Sequence, residues 1–121
     1  MRTSLAVSVA AVFFGAIAIG ASPASAVDLV AAAPRQVKVL VDNDKVRVME
    51  VRIAKGDKIP MHSHPDMVVY IIKGGRTKWT SADGEVTETT AKDGDTRFRP
   101  AVTHAHEHLD AGHAIVVELK K

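Results

Sequence analysis

The sequence contains no cysteine. That excludes a disulfide framework, a thiolate metal site and a cysteine nucleophile in one stroke. Aromatic residues are scarce, with one Trp, one Tyr and three Phe in 121 residues. Neither sign of charge dominates, because 16 Lys and Arg are interspersed with 14 Asp and Glu. A balanced surface with few aromatics offers no basic stripe and no stacking platform, so no nucleic-acid partner is expected. A sustained 3.6-residue apolar period is also missing, and no long repeat is visible. No Ser-His-Asp order, phosphate-cradling glycine loop or paired-carboxylate arrangement stands out.

The chain's only long uncharged run lies at its start. "MRTS" carries one Arg, "LAVSVAAVFFGAIAIGA" (Leu5 to Ala21) has no charge, and "SPASA" ends in the small-x-small pattern Ala24-Ser25-Ala26. This layout describes a secretory signal peptide over residues 1–26, cleaved after Ala26. An uncleaved anchor is the competing reading, but alanine and glycine make the run weakly hydrophobic. The expectation is a periplasmic or secreted product with no stable membrane insertion after cleavage.

Residues 27–36, "VDLVAAAPRQ", show no period and read as a linker or arm. Residues 37–121 are short strands punctuated by turns. In "KVRVMEVRI" the apolar parity switches from Val46 and Val48 to Met49, Val51 and Ile53, which predicts a bulge or an exchange of faces. "MVVYIIK" (Met67 to Lys73) is apolar on both parities, as a strand covered on both faces or one supplying a homodimer surface would be. "RTKWTSADGEVTETT" reads as a hairpin whose Asp83-Gly84 pair predicts a two-residue type I′ turn. Eight or nine short strands without a convincing helix indicate an all-β sandwich or barrel.

The remaining signal is histidine. His62 and His64 sit two apart, bracketed by Pro60 and Pro65, and share one face of a strand. His104, His106 and His108 repeat the same spacing, whereas His113 stands alone at a strand start and reads as surface. Neutral imidazoles gathered from two remote strands are a natural set of ligands for a divalent transition metal. A solvated rim or a hydrogen-bonded pair of core histidines is the alternative for either cluster taken singly. Trp79 and Phe98 read as core or pocket walls, and Arg97 and Arg99 as a solvated strand face turned away from Phe98.

These residues carry a resemblance. "GDKIPMHSHPDMVVYIIKGG" resembles the first motif of the cupin superfamily, with Gly56, His62, His64 and Gly75 in place. "GDTRFRPAVTHAHEH" resembles the second, with Gly94, Pro100 and His104 matching. The likeness runs from about Val39 to Leu119 and is closest to small single-domain bacterial cupins. It implies a cupin-like jelly-roll β-barrel holding a divalent metal through His62, His64 and His104. The sequence departs from the pattern at Val68, where the family's glutamate ligand falls. It departs again at Val102, where glycine is usual, and at His108, which stands at the final asparagine.

The fourth ligand is therefore left open among Asp66, Glu107, His106 and His108. Met67 would favour copper only by turning inward, which strand parity argues against. Such a site suits Fe, Zn, Ni, Mn or Cu. Tyr70, placed on the His64 parity, is a weak candidate for an acid or hydrogen-bond donor beside its reading as a core aromatic. By analogy with the family, the protein is either a metal-dependent oxygenase or isomerase/lyase on a small organic substrate, or a non-catalytic module binding a metal or small ligand.

Overall fold

The computed structural model describes residues 27–121, so the proposed signal peptide lies outside the described residues. A one-turn helix, α1 (Leu29–Ala32), precedes nine strands: β1 (Val37–Asp42), β2 (Val46–Ile53), β3 (Lys58–His64), β4 (Met67–Lys73), β5 (Gly75–Ser81), β6 (Val86–Ala91), β7 (Thr96–Arg99), β8 (Val102–His108) and β9 (Gly112–Leu119). The strands form two antiparallel sheets of order β1-β2-β9-β4-β7 and β3-β8-β5-β6. The core consists of Leu29, Ala33, Met49, Val51, Ile53, Ile59, Met67 and Val116. This is the all-β jelly-roll architecture that the strand pattern and the resemblance both imply.

The segment read as a linker or arm is built into the fold. Leu29 and Ala33 are buried in the core. Asp28 caps α1 by accepting from the Ala31 amide, and the Ser63 amide donates to the Val27 carbonyl. Four apolar residues of one turn gave no visible period, so only packing reveals this helix.

Two local expectations are corrected. β2 runs unbroken against β9 from Val46 to Ile53. The bulge falls instead on β1, between Val39 and Val41. Met49, Val51 and Ile53 point into the core while Val46 and Val48 occupy the outer face, so the parity switch marks a strand apolar on both sides. The β5–β6 turn is not type I′, which requires positive φ at both central residues. Only Gly84 is left-handed, at φ 89°. The Gly84 amide donates to the Ser81 carbonyl and the Ser81 amide to the Glu85 carbonyl, the three-residue loop in which a turn is followed by a left-handed glycine.

The larger correction concerns β4. Pro65 and Asp66 form the corner at which the chain leaves one sheet for the other, and side-chain parity does not carry across a corner. His64 and Met67 both point inward, and Val68 and Tyr70 point out. Tyr70 is 47% exposed, so it is not a donor inside the barrel. Phe98, its neighbour on β7, is 61% exposed and is no pocket wall. Arg97 and Arg99 line the interior cavity in its place.

Gly74 sets how closely β4 and β5 pass the β6–β7 connection. A Cβ there would lie 2.1 Å from the Ala91 carbonyl oxygen, a contact only backbone movement relieves. Gly74→Ala is expected to cost more than about 1 kcal/mol, lowering the unfolding midpoint by at least about 4 °C in a domain of this size. Thermal denaturation followed by circular dichroism checks this, and an unchanged midpoint contradicts it.

Candidate metal centre

The first histidine pair depends on a bulge. Ile59 opposes His106 while His62 opposes His104, so β3 carries one more residue than β8 across this interval. The extra residue falls at Pro60–Met61, where proline supplies no amide to the ladder. The bulge resets the parity, and Ile59, His62 and His64 all face the interior. β8 continues regularly to His108, so His104, His106 and His108 share its inner face.

His62, His64 and His104 are buried, and one ring nitrogen from each lies within 4.8 Å of the other two. Nitrogens bound at about 2.1 Å in tetrahedral geometry stand about 3.4 Å apart, so the rings would draw together by up to about 1.4 Å around one ion.

Hydrogen bonding fixes which ring nitrogens carry the proton. His62 Nδ1 lies 2.8 Å from the Pro60 carbonyl oxygen. A carbonyl only accepts, so Nδ1 carries the proton and Nε2 keeps its lone pair. That Nε2 is the one buried side-chain nitrogen or oxygen without a hydrogen-bond partner among the described residues. An orphaned acceptor on a fully buried ring is what a ligand awaiting an ion looks like. His64 Nδ1 donates to Glu118 Oε2 at 2.7 Å, which likewise leaves its Nε2 with the lone pair free. Glu118 Oε1 accepts from Arg47 Nη2 at 2.8 Å and from Nε at 3.0 Å. Arg47 also pairs with Asp28 at 3.0 Å. A chain of charges thus runs from α1 to the imidazoles. Burial raises the Glu118 carboxyl, yet its bonds to His64 and Arg47 outweigh that and hold it below the usual range.

The other histidines divide. His106 stacks on Trp79 with ring centroids 4.7 Å apart, and its Nδ1 lies 2.8 Å from His108 Nε2. Both line the cavity, but only His106 packs against the three-histidine group, beside His62 and His104. His113 lies outside the group and bonds Glu50 at 3.2 Å. Of the remaining fourth-ligand candidates, Asp66 accepts from the Ala101 amide, and Glu107 pairs with Lys58 on the outer face of the sheet. Met67 turns inward, 3% exposed, and lines the cavity with His64 and His104. The thioether orientation that favours copper is therefore present, against the parity argument.

Sequence reasoning missed Glu118, Arg47 and Arg99. A readable signal existed for the first: Glu118 follows Val116 on an inward parity, a charge at a core position. Trp79, which reads from the sequence as core or pocket wall, is a wall, held by its Nε1 donating to Thr89 at 2.8 Å. A partly open cavity of about 140 Å³ is lined by Met67, Val69, Trp79, Arg99, His64, His104 and His106, among others.

No protein-family model matches the chain, and the search of curated proteins finds no match. Solved structures do resemble it. A cupin domain from Bordetella pertussis Tohama I has a TM-score of 0.64 at 25% identity, covering 70% of this chain and 92% of that one. A conserved protein of unknown function from Streptococcus pyogenes has a TM-score of 0.55 at 28% identity, covering 70% and 73%. An RmlC-like cupin with a double-stranded β-helix fold from Methanocaldococcus jannaschii has a TM-score of 0.55 at 23% identity, covering 69% and 78%.

Burial drives the His104 pKa down to about 3, with repulsion from His62, His64 and Arg99 adding to it. Burial likewise lowers His62, against the bond to Pro60, and takes His106 to about 2. Unfolded histidines titrate near 6.5. Between that value and the folded ones the unfolded chain binds more protons, so stability falls as pH falls. For metal-free protein, the unfolding midpoint is expected to drop by several degrees from pH 7 to pH 4. Calorimetry in the presence of a chelator checks it, and a flat profile contradicts it.

Proposed function

This chain belongs by fold to the cupin superfamily, and from that premise we propose that it binds one divalent transition metal through His62, His64 and His104. The single observation that carries the reading is the buried, unpartnered Nε2 of His62, flanked by two further imidazoles within bonding reach. The lowered pKa values of His62 and His104 support it, since a ring that resists protonation keeps its lone pair available. The ion would come from the set Fe, Zn, Ni, Mn and Cu, with buried Met67 keeping copper in that set.

A divalent ion held by three neutral imidazoles supplies Lewis-acid or redox chemistry at its open positions. The protein's own contribution is to orient and enclose. Pro60 and Glu118 hold two ring tautomers, Trp79 walls one side, and the aliphatic faces of Met67, Val69 and Val116 keep the cavity apolar. A partly open cavity beside open coordination positions suits a small organic substrate, so the favoured class is a metal-dependent oxygenase or isomerase/lyase. A non-catalytic binding module is the second reading. It is favoured by the state of Glu118, the interior carboxylate nearest the group, whose oxygens are taken by Arg47 and His64. Oxygen consumption or conversion of a candidate substrate by the loaded protein separates the two.

Elemental analysis of the signal-less protein as isolated tests the metal site. Wild type is expected to carry about one ion per chain, and His62→Ala and His104→Ala less than about a tenth of that. Glu118→Gln is expected to bind 10- to 100-fold more weakly, as substitutions behind a ligand do. Equal metal content in wild type and both alanine variants would sink the reading.

The protein is further proposed to be exported and to pair as a homodimer. The layout of residues 1–26 supports the first, as a periplasmic or secreted location. Exposed Tyr70 and Phe98, beside half-buried Val68, Ile115 and Val117 on one sheet face, support the second. Among the described residues, no helix is long and apolar enough to cross a membrane. Full-length protein expressed in a Gram-negative host is expected in the periplasmic fraction with an intact mass that begins at Val27. Light scattering is expected to give twice the chain mass for wild type and the chain mass for Phe98→Glu. Retention of residues 1–26, or a monomeric wild type, would overturn the respective statement.

A further inference from the structure

Among the described residues, Arg99 is a cation without an ion-pair partner. Its strand places it inward, opposite Met67 in the ladder. It lines the partly open cavity and also the open depression beside it, and it shares both with Trp79 and His104. Its guanidinium carbon sits 5.1 Å from the centre of the Trp79 ring. The carboxylates nearest in the fold that form ion pairs do so with other cations. Glu118 is held by Arg47 and His64, and Asp95 pairs with Arg97. Glu85 borders the open depression, yet forms no ion pair with Arg99 among the described residues. The Trp79 face stabilises the charge from one side, but it accepts none of the five N–H bonds a guanidinium offers. Burial depresses the Arg99 pKa, with repulsion from Arg97 adding to it.

We propose that Arg99 is the carboxylate anchor of the cavity, so that the ligand is a small organic acid. Its charged end pairs with the guanidinium, and its apolar body lies between Trp79 and the Met67–Val69 wall. The inference deepens the reading above and rests on it in one respect, that the same pocket takes a small molecule beside the histidines. The charge balance points the same way. Of the charged groups that line the cavity or lie behind it, Glu118 is neutralised by Arg47, Asp110 by Arg76 and Arg97 by Asp95, so that among the described residues Arg99 and Lys73 are the lining cations without an ion pair. A bound divalent ion would add to that positive field. Arginine's planar fork matches a carboxylate in bidentate geometry, which a lysine does not. A single free guanidinium against an apolar wall fits a monocarboxylate better than a phosphate dianion, which calls for more donors. A cavity of about 140 Å³ accommodates a ring-sized body, since an engineered cavity of about 150 Å³ in another protein binds benzene.

Trp79 is the only tryptophan in the chain, so its emission reports binding without any assay of activity. Benzoate and its neutral counterpart benzyl alcohol are titrated at constant ionic strength into the signal-less protein, with chelator and again with zinc. Benzoate is expected to change the emission saturably and to bind at least tenfold more tightly than benzyl alcohol. Arg99→Gln is expected to abolish that preference, Arg99→Lys to retain part of it, and Arg97→Gln to change it less than about threefold. The proposal is overturned if benzoate gives no saturable change, if the two probes bind alike, or if Arg99→Gln keeps the preference. Metal content measured on the same samples separates this proposal from the metal site. A benzoate preference in protein that takes up no zinc sinks the metal reading and keeps this one. Stoichiometric zinc without benzoate binding does the reverse.

Discussion

Two acceptors, the carbonyl of Pro60 and the carboxylate of Glu118, decide what the interior of this barrel presents. Each takes the Nδ1 proton of an imidazole, and each thereby leaves an Nε2 with its lone pair free. Without them the rings could adopt either tautomer, and the convergence of His62, His64 and His104 would carry no chemical meaning. The fold maintains both acceptors by ordinary means. A bulge at a proline exposes the first, and a buried Arg47–Glu118 pair positions the second. Breaking such a pair typically costs 3–5 kcal/mol, because it leaves one buried charge uncompensated.

The Arg47–Glu118 pair also explains why the segment before β1 matters. Asp28 closes the far side of the Arg47 guanidinium while it caps α1. One aspartate therefore couples α1, through Arg47 and Glu118, to His64 on β3. Leu29 packs beneath the same cavity. A stretch that looks like an arm is structurally a floor under the histidines.

The all-β pattern and the shared face within each histidine cluster were legible because they rest on short-range rules, whereas the jelly-roll and the joining of His62 and His64 with His104 came from the cupin resemblance. Strand alternation puts residues two apart on one face, and turn residues mark where strands end. The errors share one cause, that local parity was carried through places where the chain turns from one sheet to the other. The corner at Pro65–Asp66 is the clearest case. Counting from His64 placed Val68 and Tyr70 inside and Met67 outside, and the true arrangement is the reverse. Arg99 and Phe98 were misread on a related ground, since residue type argued for the aromatic inside and the cations out. Charge and hydropathy alone cannot reveal that an arginine has been buried beside a tryptophan. Glu118 and Arg47, separated by 71 residues, form a contact that only the sheet topology creates.

The central claim is that His62 and His64 present unprotonated Nε2 atoms to a common centre. Nitrogen-15 spectra of the histidine side chains, recorded at neutral pH before and after one equivalent of zinc, test it most directly. Both rings should be protonated at Nδ1 in the metal-free protein, with their Nε2 resonances, together with a ring nitrogen of His104, shifting on zinc addition. Protonation of either ring at Nε2, or spectra that zinc leaves unchanged, would contradict the account.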